Sequence, residues 1–237
     1  MGRLCPVTPA PRSADRVTAA VTGVALEIVR RQAPPGVDIV ALENGVDPEA
    51  IDFLVPPSDG SGRVVEVLPD LHRLSVVQVL SAGTDWIEDR LPPQATLCSA
   101  RGARDGPVSE WILGALLGAT TGLLECARIH RWTDRRLTDL SGWTVLIVGM
   151  GSIGQMVRTR LEMLGTTVVG VASRPRHGLR SVDELVELLA SGVLSITPHI
   201  AGDSPRGWAR AAALAGDQLV RWRTGEPLRN IVRIGTG

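Results

Sequence analysis

The chain has 237 residues, enough for one large domain or two small ones with a sizeable core. Hydrophobic residues make up 44% and the formal net charge is zero. That excludes a polybasic nucleic-acid or membrane-surface protein and an acidic disordered tail, and the 25 basic residues are all arginine, which excludes lysine-based chemistry.

Cys5, Cys98 and Cys126 are odd in number and widely spaced, the pattern of reduced thiols rather than a disulfide framework or a metal site. The opening MGRLCPVTPAPRSADR has no apolar stretch of the signal-peptide kind, and residues 1–12 read as a proline-rich lead. The uncharged apolar stretch Trp111 to Leu124 is too short to span a bilayer. A cytoplasmic protein without membrane or nucleic-acid partners is expected.

From Ala14 to Arg31, apolar residues at Val17, Val21, Val24 and Ile28 fall at helical spacing, and Pro34-Pro35-Gly36 closes the helix they predict. Val37 to Leu42 and Phe53 to Val55 read as strands, and Ser58 to Gly62 as a turn. Leu68 to Leu74 reads as a short helix leading into a buried strand, Val76 to Leu80, which ends in Ser81-Ala82-Gly83. Strands alternating with helices indicate an open α/β layer.

Asp105-Gly106-Pro107 is a cap-and-proline start for a long helix running to about Arg131. Its small residues Gly114, Ala115, Gly118, Ala119 and Gly122 suit close packing, inside the subunit or at a dimer seam. Leu140 to Gly154 then reads LSGWTVLIVGMGSIG. Thr144 to Val148 has the composition of a strand buried on both faces. Gly149, Gly151 and Gly154 follow in G-x-G-x-x-G spacing, with a helix opening at once. In that context the first glycine allows the turn, the second admits a pyrophosphate, and the third lets helix pack on strand. The free amides of the helix start, at Ser152, Ile153 and Gly154, face the phosphate charge.

A second apolar run, Thr167 to Ala172, leads to Ser173-Arg174-Pro175-Arg176, where a ribose-reading residue sits in such folds. An NAD site wants a carboxylate there. A guanidinium pairs with a 2′-phosphate instead, so NADP(H) is favoured and NAD(H) is the alternative.

Taken together, LSVVQVLSAGTDWI, LCSARG, VSEWILGALL, DLSGWTVLIVGMGSIG and ITPHIAG occur in an order that resembles the D-isomer-specific 2-hydroxyacid dehydrogenases, over about residues 50 to 230. The resemblance implies an α/β chain: a Rossmann-like parallel sheet plus a smaller flavodoxin-like substrate domain. The substrate domain would comprise residues 1–105 and 205–237, and the dinucleotide-binding domain residues 106–204. It further implies that Ser81, Ala82 and Gly83 hold the carboxylate of a small 2-keto or 2-hydroxy acid. A homodimer through helix 107–131 is implied as well. His199, within Thr197-Pro198-His199, matches the catalytic histidine, and an imidazole suits proton exchange at the substrate oxygen near neutral pH.

The chain departs from the family after the second strand. Only 43 positions separate Gly154 from Thr197. A helix over Val182 to Leu189 leads almost directly to a strand over Val193 to Ile196. A complete dinucleotide fold needs a second half, so on the order of ninety residues are missing, with a seam near Ala190-Ser191. The strand at Thr144 would then lose its far-side neighbour and lie at a sheet edge, with Val193 to Ile196 able to fill one slot, either beside the second strand or beside the first. The family's catalytic arginine and the acid that supports its histidine have no identifiable equivalent. Two readings follow: a dehydrogenase, or a non-catalytic dinucleotide-binding or dimerising remnant.

Overall fold

The computed structural model describes residues 16–58, 60–132, 138–172, 180–181 and 201–236. In chain order the elements are β1 (Val17–Val21), α1 (Gly23–Gln32), β2 (Val37–Ala41), β3 (Phe53–Val55), α2 (Arg63–Glu66), β4 (Val76–Gln78) and β5 (Thr96–Cys98). They continue as α3 (Asp105–Thr120), α4 (Leu123–Cys126), β6 (Thr144–Val148), α5 (Ser152–Glu162), β7 (Thr167–Ala172), β8 (Arg180–Ser181), α6 (Pro205–Thr224) and β9 (Ile231–Arg233). The chain divides into two compact units, Met1–Arg104 with Pro205–Gly237, and Asp105–Ser204.

The first unit holds a six-stranded sheet in the order β2-β1-β3-β4-β5-β9, parallel except for β9. The 2-1-3-4-5 part is the flavodoxin-like doubly wound order. Side chains alternate between two cores, as the period of a strand requires. Val17, Ala19, Val21, Phe53, Val55 and Val76 face α1 and α6, whose Ala211, Ala215, Leu219 and Trp222 close that layer. Ala20, Leu54 and Val77 face the other way, onto Ile51, Leu68, Leu71, Leu74 and Ile87. Six of the nine described strands belong to this unit.

Two predicted helices are corrected here. Ala14 to Arg31 divides into β1 and α1, because Val17–Val21 is a continuous run of small and β-branched residues in the middle of a sheet. Such a run satisfies either periodicity until burial on both faces decides. Leu68 to Leu74 forms only a 3₁₀ turn, Leu68–Asp70, holding Pro69 near its start. Leu68, Leu71 and Leu74, three residues apart, still reach the second core. The strands β5 and β9 were not predicted.

Charged groups staple the sheet at its loops. Asp52 is buried, accepts the Thr18 amide (2.9 Å), and takes a two-pronged contact from Arg73 (Nε 3.1 Å, Nη2 3.0 Å). At the start of α1 no local side chain caps the helix. Glu43, from the loop after β2, accepts the Gly23 amide at 2.7 Å and the Thr22 hydroxyl at 3.3 Å. The Gly23 amide, with a smaller opposing effect of burial, holds the Glu43 carboxyl below its ordinary value.

The second unit carries a three-stranded parallel sheet, β6-β7-β8. Among the described residues β6 is hydrogen-bonded on one side only, to β7. Its expected burial on both faces therefore fails: Thr144 and Val148 are exposed, Val148 by 58%, and the residues between are half-buried. The long helix also stops early. The Thr120 and Thr121 hydroxyls donate back to Leu116 and Leu117 carbonyls, and Gly122 adopts a left-handed conformation (φ 69°) before α4. The proline-rich lead, the predicted helix at 182–189 and the predicted strand at 193–196 lie outside the described residues.

Replacing Glu43 with Gln should destabilise the first unit by about 0.5–1 kcal/mol at pH 7, the worth of one charge at a helix start. The carboxylate's contribution is complete above its unfolded value near 4.5 and disappears as pH falls through the lower folded value. Urea unfolding at pH 7 and below pH 4 checks this: the gap between wild type and Glu43→Gln should narrow on acidification.

Candidate functional site

The first candidate is the elbow between β6 and α5. Gly149 turns the chain at φ 100°, a conformation that side chains resist, and its amide donates to the Val171 carbonyl at 2.9 Å. Gly151 precedes the helix without a capping side chain, and Gln155 makes the first helical bond, to the Gly151 carbonyl. The amides of Ser152, Ile153 and Gly154 thus open the helix with no partner one turn back, carrying the positive end of its dipole. A Cβ on Gly154 would overlap the Gly149 carbonyl oxygen and lie 3.5 Å from Ile147 Cγ2, so only glycine allows this close approach. A Cβ on Gly151 would meet nothing within 4 Å, which leaves the backbone there open to a ligand.

The elbow is braced from behind. Val157 and Leu161 bury the inner face of α5, and Arg160 reaches α3. Its guanidinium donates to the Gly106 carbonyl (3.3 Å) and the Ser109 hydroxyl, and pairs with Glu110 at 3.5 Å. Arg160 was not singled out in the sequence, where an arginine on an amphipathic helix looks like any solvated one.

The second candidate lies in the first unit, at the carboxyl ends of β4 and β5, where ligands of open α/β sheets bind. A cleft of about 390 Å³ is lined by Ala82, Gly83, Asp85, Glu88, Arg101 and Asn230, among others. The Ser81 carbonyl accepts the Ala100 amide (2.8 Å), its hydroxyl donates to the Gly83 carbonyl (2.7 Å), and the Trp86 indole donates to that hydroxyl (3.4 Å). Among the described residues the amides of Ala82 and Gly83 meet no protein acceptor.

The far wall comes from the returning end of the chain. Buried Gln218 on α6 grips Arg229 at both backbone groups (2.9 and 2.8 Å). Asn230 follows in a left-handed conformation, donates from its amide to the Arg101 carbonyl (3.0 Å), and accepts the Ser99 amide (3.1 Å). Arg233 donates to the carbonyls of Glu88, Leu91, Pro92 and Ala95, fixing the loop below. Nearby Cys98 is buried in β5, which pushes its thiol up to about 12, against a smaller opposite effect of the Gln218 side chain. It is a packing residue rather than a nucleophile.

Of the residues picked from sequence, Gly149, Gly151, Ser152, Ile153 and Gly154 assemble the elbow, while Ser81, Ala82 and Gly83 form one loop at the cleft. Ser173, Arg174 and His199 lie outside the described residues. Asn230 was missed and Arg101 was placed in the substrate half without a role, since their place in the wall depends on an antiparallel return strand from far along the chain. Among the described residues no group of three His, Cys, Asp or Glu could hold a metal, and no helix is long and apolar enough to cross a membrane.

Residues 118–197 match the model of the D-isomer specific 2-hydroxyacid dehydrogenase, NAD binding domain. A glycerate dehydrogenase from Methylorubrum extorquens is 23% identical over 184 residues, 72% of this chain and 56% of the relative. The match thus spans little more than half the relative's length. A D-isomer specific 2-hydroxyacid dehydrogenase family protein from Aeromonas salmonicida superposes with TM-score 0.72 at 18% identity, over 93% of this chain and 99% of the other. The NADPH-dependent glyoxylate/hydroxypyruvate reductase from Sinorhizobium meliloti, solved with NADP and sulfate, gives 0.67 at 16% identity, over 92% and 98%.

The two glycines should part company on substitution. Gly151→Ala is expected to fold with an unchanged melting temperature, whereas Gly154→Ala should lose about 1–3 kcal/mol through overpacking against the Gly149 carbonyl. Thermal melts of the two variants followed by circular dichroism read the difference.

Proposed function

We propose that this chain belongs to the D-isomer-specific 2-hydroxyacid dehydrogenase family, and that it is an oxidoreductase acting between NAD(P)H and a small 2-keto or 2-hydroxy acid. The observation that carries this reading is the elbow, where a strand, a left-handed glycine and an uncapped helix start converge on an opening that a side chain at Gly154 would destroy. These residues fit a dinucleotide. The Ser152, Ile153 and Gly154 amides would hold its pyrophosphate, and the open face of Gly151 would admit it. When bound, such a cofactor supplies or accepts the hydride.

The chain's own residues have separate tasks. The Ala82 and Gly83 amides hold the substrate carboxylate, with Ser81 and Trp86 fixing their loop. His199 exchanges the proton at the substrate's carbonyl oxygen. Ser173 and Arg174 read the ribose; a guanidinium there favours the 2′-phosphate of NADP(H) over NAD(H). The working form is a cytoplasmic homodimer through α3 and α4, the two helices into which the predicted helix 107–131 divides.

A second reading is supported by the short span from Gly154 to Thr197 and by β6 pairing on one side only among the described residues. In it the chain is a dinucleotide-binding or dimerising remnant, truncated near residues 190–191, that has lost the chemistry.

Absorbance at 340 nm with NADPH and a panel of glyoxylate, pyruvate and hydroxypyruvate separates the readings. Turnover that falls by about 10²–10⁴ in His199→Ala, the usual worth of a positioned acid–base group, supports the enzyme. Tight NADPH binding without turnover above that variant supports the remnant. Failure to bind either NADPH or NADH rejects both.

A further inference from the structure

The cleft of the first unit holds a charge pattern that the loop amides do not explain. Arg101 lines it, exposed, and takes part in no ion pair among the described residues. Its backbone is held where the wall requires it, because Asn230 captures the Arg101 carbonyl from a left-handed conformation that is itself pinned by Gln218. Two carboxylates, Asp85 and Glu88, line the same cleft. Glu88 takes a long hydrogen bond from the Thr84 hydroxyl (3.5 Å), and no arginine neutralises either acid among the described residues.

We infer that Arg101 is the anion anchor of this cleft, and that with the Ala82 and Gly83 amides it selects short monocarboxylates while Asp85 and Glu88 repel a second carboxylate. This inference rests on the reading of the cleft as the substrate-acid site. A guanidinium offers a carboxylate two parallel donors, and the two free amides add donors to the same charge. The acids leave room for a ligand tail that donates hydrogen bonds, such as a hydroxyl or an amide, and disfavour a dicarboxylate of the same size. Asn230 is a positioning residue: it acts through the Arg101 backbone.

Oxamate and oxalate test this as a nearly isosteric pair, one a monoanion with an amide donor and the other a dianion. Binding to the full-length protein is followed by calorimetry and by tryptophan fluorescence, to which Trp86 beside Ser81 contributes, with and without NADPH. Oxamate is expected to bind wild type at least fivefold more tightly than oxalate. Arg101→Gln should weaken oxamate at least tenfold, Arg101→Lys by less, and Arg90→Gln, which removes a charge from exposed surface nearby, not at all. Asp85→Asn combined with Glu88→Gln should close the gap between the two ligands. Circular dichroism of each variant confirms the fold. If Arg101→Gln binds oxamate as wild type does, the anchor assignment falls and the substrate reading of the cleft survives. If wild type binds neither ligand, the substrate reading itself falls.

Discussion

The approach of α5 to the end of β6 leaves no space for a methyl group between Gly154 and the Gly149 carbonyl. That contact fixes how the helix start is presented. Because the strand must turn back sharply, Gly149 takes a left-handed conformation, and because no side chain caps the helix, three amides face outward. Arg160 holds the other end of α5 against α3, so the elbow is clamped at both ends. The chemistry proposed for the second unit follows from this geometry: a concentrated, pre-oriented positive potential suits a diphosphate and needs no lysine.

The first unit solves a different problem with the same economy of charge. Its sheet is flavodoxin-like, yet the start of α1 at the β1/β3 switch point is occupied by the protein's own Glu43. The cleft lies further along the sheet, beside β5, where β9 returns antiparallel and brings Asn230. Long-range hydrogen bonds from Gln218, Asn230 and Arg233 hold this wall in place of apolar packing, which suits a surface that must stay open to a small polar ligand.

Legibility in the sequence followed the range of the interactions. The β6–α5 elbow was readable because its requirements are local: three glycines, a β-branched run and an amphipathic helix, all between Thr144 and Glu162. The loop at Ser81 was readable only through resemblance, for nothing in Ser-Ala-Gly itself specifies free amides. β1 was misread as helix, since Val17 and Val21 fit both periods and only its two flanking strands settle the matter. The exposure of β6 shows the converse. Composition predicted burial on both faces, but a strand's burial belongs to its neighbours, and among the described residues β6 has one. The cleft wall was invisible because Arg101 and Asn230, 129 positions apart, meet only in the folded sheet.

The central claim is that the opening amides of α5 receive the diphosphate of a pyridine dinucleotide. Amide proton–nitrogen NMR spectra of the labelled full-length chain, recorded through a titration with NADPH, address it most directly. The account predicts saturable shifts concentrated at Gly151, Ser152, Ile153 and Gly154. Saturable shifts that leave those four residues unmoved, or no shifts at all, would contradict it.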